Sequence, residues 1–293
     1  MRWNQGHQSP DVIDRRGAGG SPGLGGLLSV LPFLLRSKFG WIGALVIVLA
    51  VVGGGLGGFF GGGEQGIQGQ EGRPGQQGST KESSMVQFVS FVLDDAQGTW
   101  RQAFAARGDQ YRNAKLVLFT DATETGCGFG RAASGPFYCP ADERVYIDLS
   151  FYRTLNERFG ARGDFAQAYV IAHEIGHHVQ NLLGISDKVH AAPRSEQEGA
   201  GGLSVRLELQ ADCFAGVWAH STDRRGLLEK GDVEEALGAA SAVGDDRLQR
   251  HNTGTVRPET WTHGSAAQRA RSFRQGYEAG TIEACTTLSA KVL

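Results

Sequence analysis

Residues 168–183 read AYVIAHEIGHHVQNLL, an apolar helical stretch carrying His173-Glu174-Ile175-Gly176-His177-His178. Val170, Ile171, Ile175 and Val179 recur at three-and-four spacing, so this helix packs into a core. Imidazoles and a carboxylate placed there are costly unless something satisfies them. The fold is therefore constrained at once: a second element has to bring polar partners to this helix. His173 and His177 are four residues apart and point to one side, where they can share one ion. Glu174 neighbours that face and reaches a water on the ion without ligating it. A Zn2+ ion held in this way acidifies its water, and a nearby carboxylate takes the proton. His178 lies about 100° further round the helix than His177 and reads as a supporting or surface residue.

A hydrolytic zinc takes three protein donors and keeps one position open. Residues 207–214 (LELQADCF) supply Glu208 and, four residues on, Asp212 on the same face. Glu208 is placed to ligate, and Asp212 to accept the outer N–H of a ligating histidine. Asp212 itself, His251 and His263 are rivals for the third donor. Phe214, Val217 and Trp218 give this second helix an apolar face to lay on the first. An oxyanion needs one more donor besides the ion. His263, in Trp261-Thr262-His263-Gly264, is the leading candidate, ahead of Tyr146 and His251.

Glycine separates the rest of the chain into two parts: about a third of residues 17–79, near a tenth elsewhere. Residues 39–63 carry no charge, and 41–52 read WIGALVIVLAVV. About 20 helical residues span a bilayer core of roughly 30 Å, so 39–61 is expected to be a single transmembrane anchor. Arg2, Arg15, Arg16, Arg36 and Lys38 precede it, whereas Arg73 and Lys81 follow. The positive-inside rule then puts 1–38 in the cytoplasm and the C-terminal part outside the inner membrane. The apolar run 24–35, interrupted by Pro32, reads as interfacial. Gly66, Gly69, Gly72, Gly75 and Gly78 recur every third residue, too few triplets for a triple helix, so 62–84 is expected to be a flexible linker.

Residues 85–293 are expected to form one α+β domain, mainly helical with a small sheet. Strands are expected at 114–119 (AKLVLF) and 145–149 (VYIDL), and helices at 164–183, 204–220, 232–251 and 265–279. The four cysteines include no Cys-x-x-Cys pair, which excludes a zinc ribbon. An extracytoplasmic domain permits disulfides. Cys127 and Cys139 bracket a turn-rich loop and are expected to pair, leaving Cys213 with Cys285; the other pairings and four free thiols stay open. Lys+Arg 29 against Asp+Glu 31 gives a net charge of -2, which argues against a nucleic-acid binder.

The His-Glu-x-x-His helix followed by Glu-x-x-Ala-Asp resembles the gluzincin arrangement of thermolysin-like and membrane-linked zinc peptidases. More specifically, residues 1 to about 285 resemble the bacterial neutral zinc metallopeptidase family. The likeness rests on the Gly-rich N-terminus, GPFYCPAD at 135–142, YIDLSF at 146–151, AHEIGHHVQ at 172–180, ELQADCFAGVWA at 208–219 and THGSAAQRARSFRQGYEAG at 262–280. It implies a zincin-like peptidase domain, a zinc ion and a protein or peptide substrate. The expectation is a membrane-anchored zinc metallopeptidase using His173, His177 and Glu208 as ligands and Glu174 as base. Two alternatives are a zinc-containing module that binds partners without cutting them, and a metal-free structural module. An intact Glu174 argues against the first, because a purely structural zinc has no use for a base.

Overall fold

The computed structural model describes residues 1–17 and 80–288. A four-stranded sheet runs in the order β1 (Val12–Asp14), β2 (Lys115–Phe119), β6 (Arg144–Asp148), β5 (Phe137–Cys139). β1 and β6 lie parallel to β2, while β5 is antiparallel to β6 with Tyr138 opposite Val145. β3 (Ala122–Thr125) and β4 (Gly128–Arg131) form a separate hairpin. The central strands are buried on both faces, which is why KLVLF reads as an unbroken apolar run rather than an alternating one. The expected strands are therefore present.

Nine helices accompany the sheet among the described residues: α1 (Thr80–Ala106), α2 (Ser150–Glu157), α3 (Asp164–Leu182), α4 (Ile185–His190), α5 (Arg194–Gln197), α6 (Leu203–Arg224), α7 (Asp232–Ala242), α8 (Asp245–Thr253) and α9 (Ala266–Ala279). α3 sits in the middle, covered by α1, α6 and α7. Phe165 stacks on Trp218 at 5.3 Å, and Trp100 meets Phe214 edge-on at 5.2 Å, locking α3 and α1 onto α6. α6 and α9 cross with their backbones in contact: a Cβ on Gly276 would stand 1.9 Å from the Cys213 carbonyl oxygen. α9 is sharply delimited, with a Ser265–Gln268 capping box at its start and Gly280 in the left-handed region at its end.

Three expectations are corrected. The helix expected over 232–251 is two helices, because the Asp245 N–H is drawn to the Gly264 carbonyl at 2.8 Å instead of continuing the turn. The chain is helical from Thr80, so the last residues of the expected 62–84 linker belong to α1; Glu82 in its first turn favours that start. The third concerns the N-terminus. Residues 1–17, expected within a separate cytoplasmic segment, belong to the same compact unit as residues 78–293. Val12 pairs with Leu116 in the sheet. The buried Asp11 accepts hydrogen bonds from Gln97 (3.0 Å), Asn113 (2.6 Å) and Lys115 (2.5 Å). Arg16 is 2.7 Å from Glu82, so the chain leaves the unit and re-enters it at one place. Three residues are too short a run to announce a strand, which explains why the sequence did not show it.

The expected transmembrane anchor, 39–61, lies outside the described residues. Among the described residues, no helix is long and apolar enough to cross a membrane. β1 and β2 are hydrogen-bonded neighbours, so residues 12–14 and 115–119 stand side by side in one sheet. Epitopes inserted in the exposed turns at Gly6 and Gly254 are expected to be reached by antibody from the same side of the membrane. Labelling of the two from opposite sides would mean that β1 does not pair with β2 in the cell.

Candidate metal centre

α3 and α6 approach closely where the site forms. A Cβ on Gly176 would lie 2.9 Å from the Ala211 carbonyl oxygen, so glycine in the His-Glu-Ile-Gly-His string permits the contact. That approach brings the Glu208 carboxylate between the two histidines, 3.2 Å from His173 Nε2 and 3.4 Å from His177 Nε2. One ligand atom from each of His173, His177 and Glu208 lies within 4.8 Å of the others. His173 and Glu174 are buried, and His177 and Glu208 are partly covered.

Each imidazole is fixed from behind. His173 Nδ1 donates to Asp212 Oδ1 at 2.9 Å, and His177 Nδ1 donates to Gln180 Oε1 at 2.9 Å. Both Nε2 atoms are thereby the ring nitrogens that face Glu208 and would ligate an ion once deprotonated. Gln180 in turn donates to the Leu207 carbonyl at 2.7 Å and to Gln210 at 3.1 Å, and Gln210 reaches the Cys285 carbonyl at 2.7 Å. Asp212 is fully buried and saturated: besides His173 it accepts from the Tyr169 hydroxyl and from Arg269 Nε (2.8 Å) and a terminal guanidinium nitrogen (2.9 Å).

The charges follow from this arrangement. Burial disfavours the Asp212 charge, but Arg269 and His173 outweigh it and hold the carboxyl below its usual range. Burial likewise opposes the Glu208 charge, and His177 and His173 overcome it, keeping the group well below the usual carboxylate range. His173 loses solvation, yet Asp212 and Glu208 raise its pKa to about 10. Burial pushes Glu174 up, against the pull of both histidines. Two nitrogen donors and one carboxylate with fixed tautomers form the kind of set that holds Zn2+ with a position left for water.

The other sequence-derived candidates fall into place around this centre. Asp212 stands behind His173 rather than in the donor set. His263 lines the same cleft, half exposed, with Nδ1 3.4 Å from Asp245, which holds its pKa above the usual histidine value. His251 is exposed beside Asn252 (3.3 Å), away from the cleft lining. Tyr146 donates to Asp142 at 2.6 Å and faces a different cluster. Cys127 is joined to Cys139 and Cys213 to Cys285 by disulfides. Tyr169, Gln180 and Arg269 were not singled out in the sequence. Gln180 offered a signal, three residues beyond His177 on one face; Arg269 offered none, being one of several arginines in its helix.

The cleft over the centre encloses about 840 Å3. Gly135 and Pro136 line it together with Phe137 and Tyr138 of β5, and so do Phe159 and Leu248. A second acidic group, Asp164, Asp232 and Glu235, lies at the start of α3 and α7. The Met1 amino group sits against it, 2.8 Å from Asp164 and 3.2 Å from Asp232.

The family model described as "Putative neutral zinc metallopeptidase" matches residues 1–288. The chain belongs to that family. It is 46% identical over 293 residues, all of both chains, to "Uncharacterized protein YpfJ" of Escherichia coli (strain K12). It is also 47% identical over 191 residues, 61% of this chain and 64% of the relative, to "Uncharacterized protein Rv2575" of Mycobacterium tuberculosis (strain ATCC 25618 / H37Rv). "Uncharacterized protein Mb2605" of Mycobacterium bovis matches to the same extent. No solved structure matches the chain. The family match covers β1 as well as α9, so the N-terminal strand lies within the matched region.

Two predictions come from this geometry. Glu208→Ala is expected to abolish stoichiometric zinc binding, whereas Asp212→Ala weakens it roughly 10–100-fold by releasing the His173 ring; metal analysis after dialysis against graded chelator separates the two. Ligation requires His173 to lose a proton that it keeps below about 10 in the metal-free protein. Zinc affinity is therefore expected to climb with pH across the neutral range, with proton release on binding measurable by calorimetry in buffers of different ionisation enthalpy.

Proposed function

We propose that the protein is a zinc-dependent peptidase that cuts protein or peptide chains by water attack on a peptide carbonyl. The observation that carries this reading is the pair of back-fixed histidines presenting Nε2 to Glu208, with the buried Glu174 beside them on the cleft. His173, His177 and Glu208 are the residues that would hold the ion. Zinc bound there supplies Lewis acidity to the carbonyl and an acidified water.

The remaining steps belong to the chain's own groups. Glu174 accepts the proton of the attacking water and delivers it to the leaving nitrogen. Its raised pKa brings it nearer the range in which a carboxylate both takes and returns a proton. His263, whose protonated form is favoured by Asp245 beside it, donates to the oxyanion that forms on the carbonyl. β5 is an edge strand, so its outer side offers unpaired main-chain groups to an extended peptide lying in the cleft. The two disulfides support placement in an oxidising compartment outside the cytoplasm.

Glu174→Gln keeps shape and hydrogen bonding while removing the base. It is expected to retain one zinc per chain and to lower hydrolysis of an unfolded protein such as casein about a hundred- to ten-thousand-fold. Undiminished hydrolysis would overturn the reading. In the pH profile, activity should fall on the acid side as Glu174 becomes protonated, at a higher pH than for an ordinary carboxylate. On the alkaline side it should fall as His263 loses its proton, and His263→Gln should remove that limb while leaving the zinc content unchanged.

A further inference from the structure

The cleft wall formed by β5 is tied to the helix that carries the metal donors, through residues that the reaction does not use. Phe137 and Cys139 turn to one side of the strand: Phe137 stacks on Tyr146 at 5.0 Å, and Cys139 is buried and bridged to Cys127. Tyr138 turns to the other side, towards α3. Its hydroxyl lies 2.9 Å from His178 Nδ1 and 3.0 Å from Asn181 Nδ2.

The directions of these bonds follow from chemistry alone. His178 Nε2 is 2.6 Å from the Arg112 carbonyl oxygen, which can only accept, so the ring proton is on Nε2. Nδ1 then accepts from the Tyr138 hydroxyl, and that hydroxyl accepts from Asn181. Both ring nitrogens of His178 and the Tyr138 hydroxyl thus have partners. His178 is completely buried, with the Tyr111 ring meeting it edge-on at 5.5 Å. Packing alone does not call for this: an apolar pair would fill the space without the desolvation cost of a phenol and an imidazole. Directed hydrogen bonds do add one thing that apolar contact lacks, a fixed distance and orientation between strand and helix.

α3 thus presents His173 and His177 to the cleft and, one position beyond His177, begins the set that grips the cleft wall. We propose that Tyr138, His178 and Asn181 are positioning residues that set where β5 stands relative to the metal donors and Glu174. They thereby set where the carbonyl of a peptide paired with β5 comes to rest. The proposal rests on the peptidase reading for its consequence in catalysis, though the linkage itself does not. A long substrate that uses the open edge of β5 depends on this placement; a short ligand held only at the ion does not. Misplacement of an ångström at such a wall is enough to weaken productive binding strongly.

The test uses the full chain with zinc bound, and two variants. Tyr138→Phe removes the hydroxyl. The double variant Tyr138→Phe, His178→Leu replaces the phenol–imidazole pair by apolar groups, so neither partner of that pair is left unsatisfied; the Arg112 carbonyl and the Asn181 amide each lose one bond. Both are expected to keep one zinc per chain, and the double variant to melt close to the parent. KM for β-casein should rise about tenfold with kcat changed less than about twofold. Inhibition by a blocked dipeptide hydroxamate should be unchanged, and amide hydrogen exchange should accelerate at 135–139 but not along 165–182. Unchanged KM and unchanged exchange at 135–139 would overturn the proposal. So would a parallel loss of casein turnover, hydroxamate affinity and α3 protection, which would mark a merely structural role. If the parent holds zinc but cuts nothing, the peptidase reading fails, and the exchange measurement still decides the linkage.

Discussion

Asp212 is one carboxylate with no access to solvent, and the site is arranged around it. It takes hydrogen bonds from His173 on α3, Tyr169 one turn earlier on the same helix, and Arg269 on α9. Removing Arg269 would leave that charge uncompensated in the interior, which is costly by several kcal/mol. Two backbone contacts make the convergence possible: α3 meets α6 across Gly176, and α9 meets α6 across Gly276. Larger residues at either place would hold the helices apart and strand the carboxylate. Packing and electrostatics are therefore not separate problems here, because the charge can be buried only if the helices touch.

Much of the centre was readable because its parts obey helical spacing. His173, Glu174 and His177 lie within five residues, and Glu208 and Asp212 are one turn apart on the next long amphipathic helix. A period of 3.6 residues carries such groups to one side whatever the rest of the chain does. Arg269 and Tyr138 obey no such local rule. Each meets the site through contact between elements remote in sequence, and a single chain gives no spacing from which to infer it. His178 was read as supporting or surface; it is buried, and its partner is the strand Tyr138 sits on.

The fold was legible in the same uneven way. β2 announced itself as an apolar run and β6 by alternation, whereas β5 has three residues between prolines and β1 only three in all. The sequence reading set residues 1–38 apart from the domain on charge asymmetry, without knowing that residues 12–14 had a partner in its sheet. The asymmetry is still in the sequence. The arginines concerned are partly engaged in the unit itself, Arg15 with the Glu124 carbonyl at 3.2 Å and Arg16 with Asp14 and Glu82.

The parallel pairing of β1 with β2 also bears on the order in which the molecule assembles. Strand Val12–Asp14 emerges first during synthesis, but its partner Leu116–Leu118 follows about a hundred residues later. Closing so long a loop costs entropy that a three-residue strand cannot recover by itself. The sheet is therefore expected to grow from β2, β6 and β5, which are close in sequence, and to admit β1 last. Until then β2 has an open apolar edge, so the nascent chain spends its most association-prone interval waiting for a segment already made.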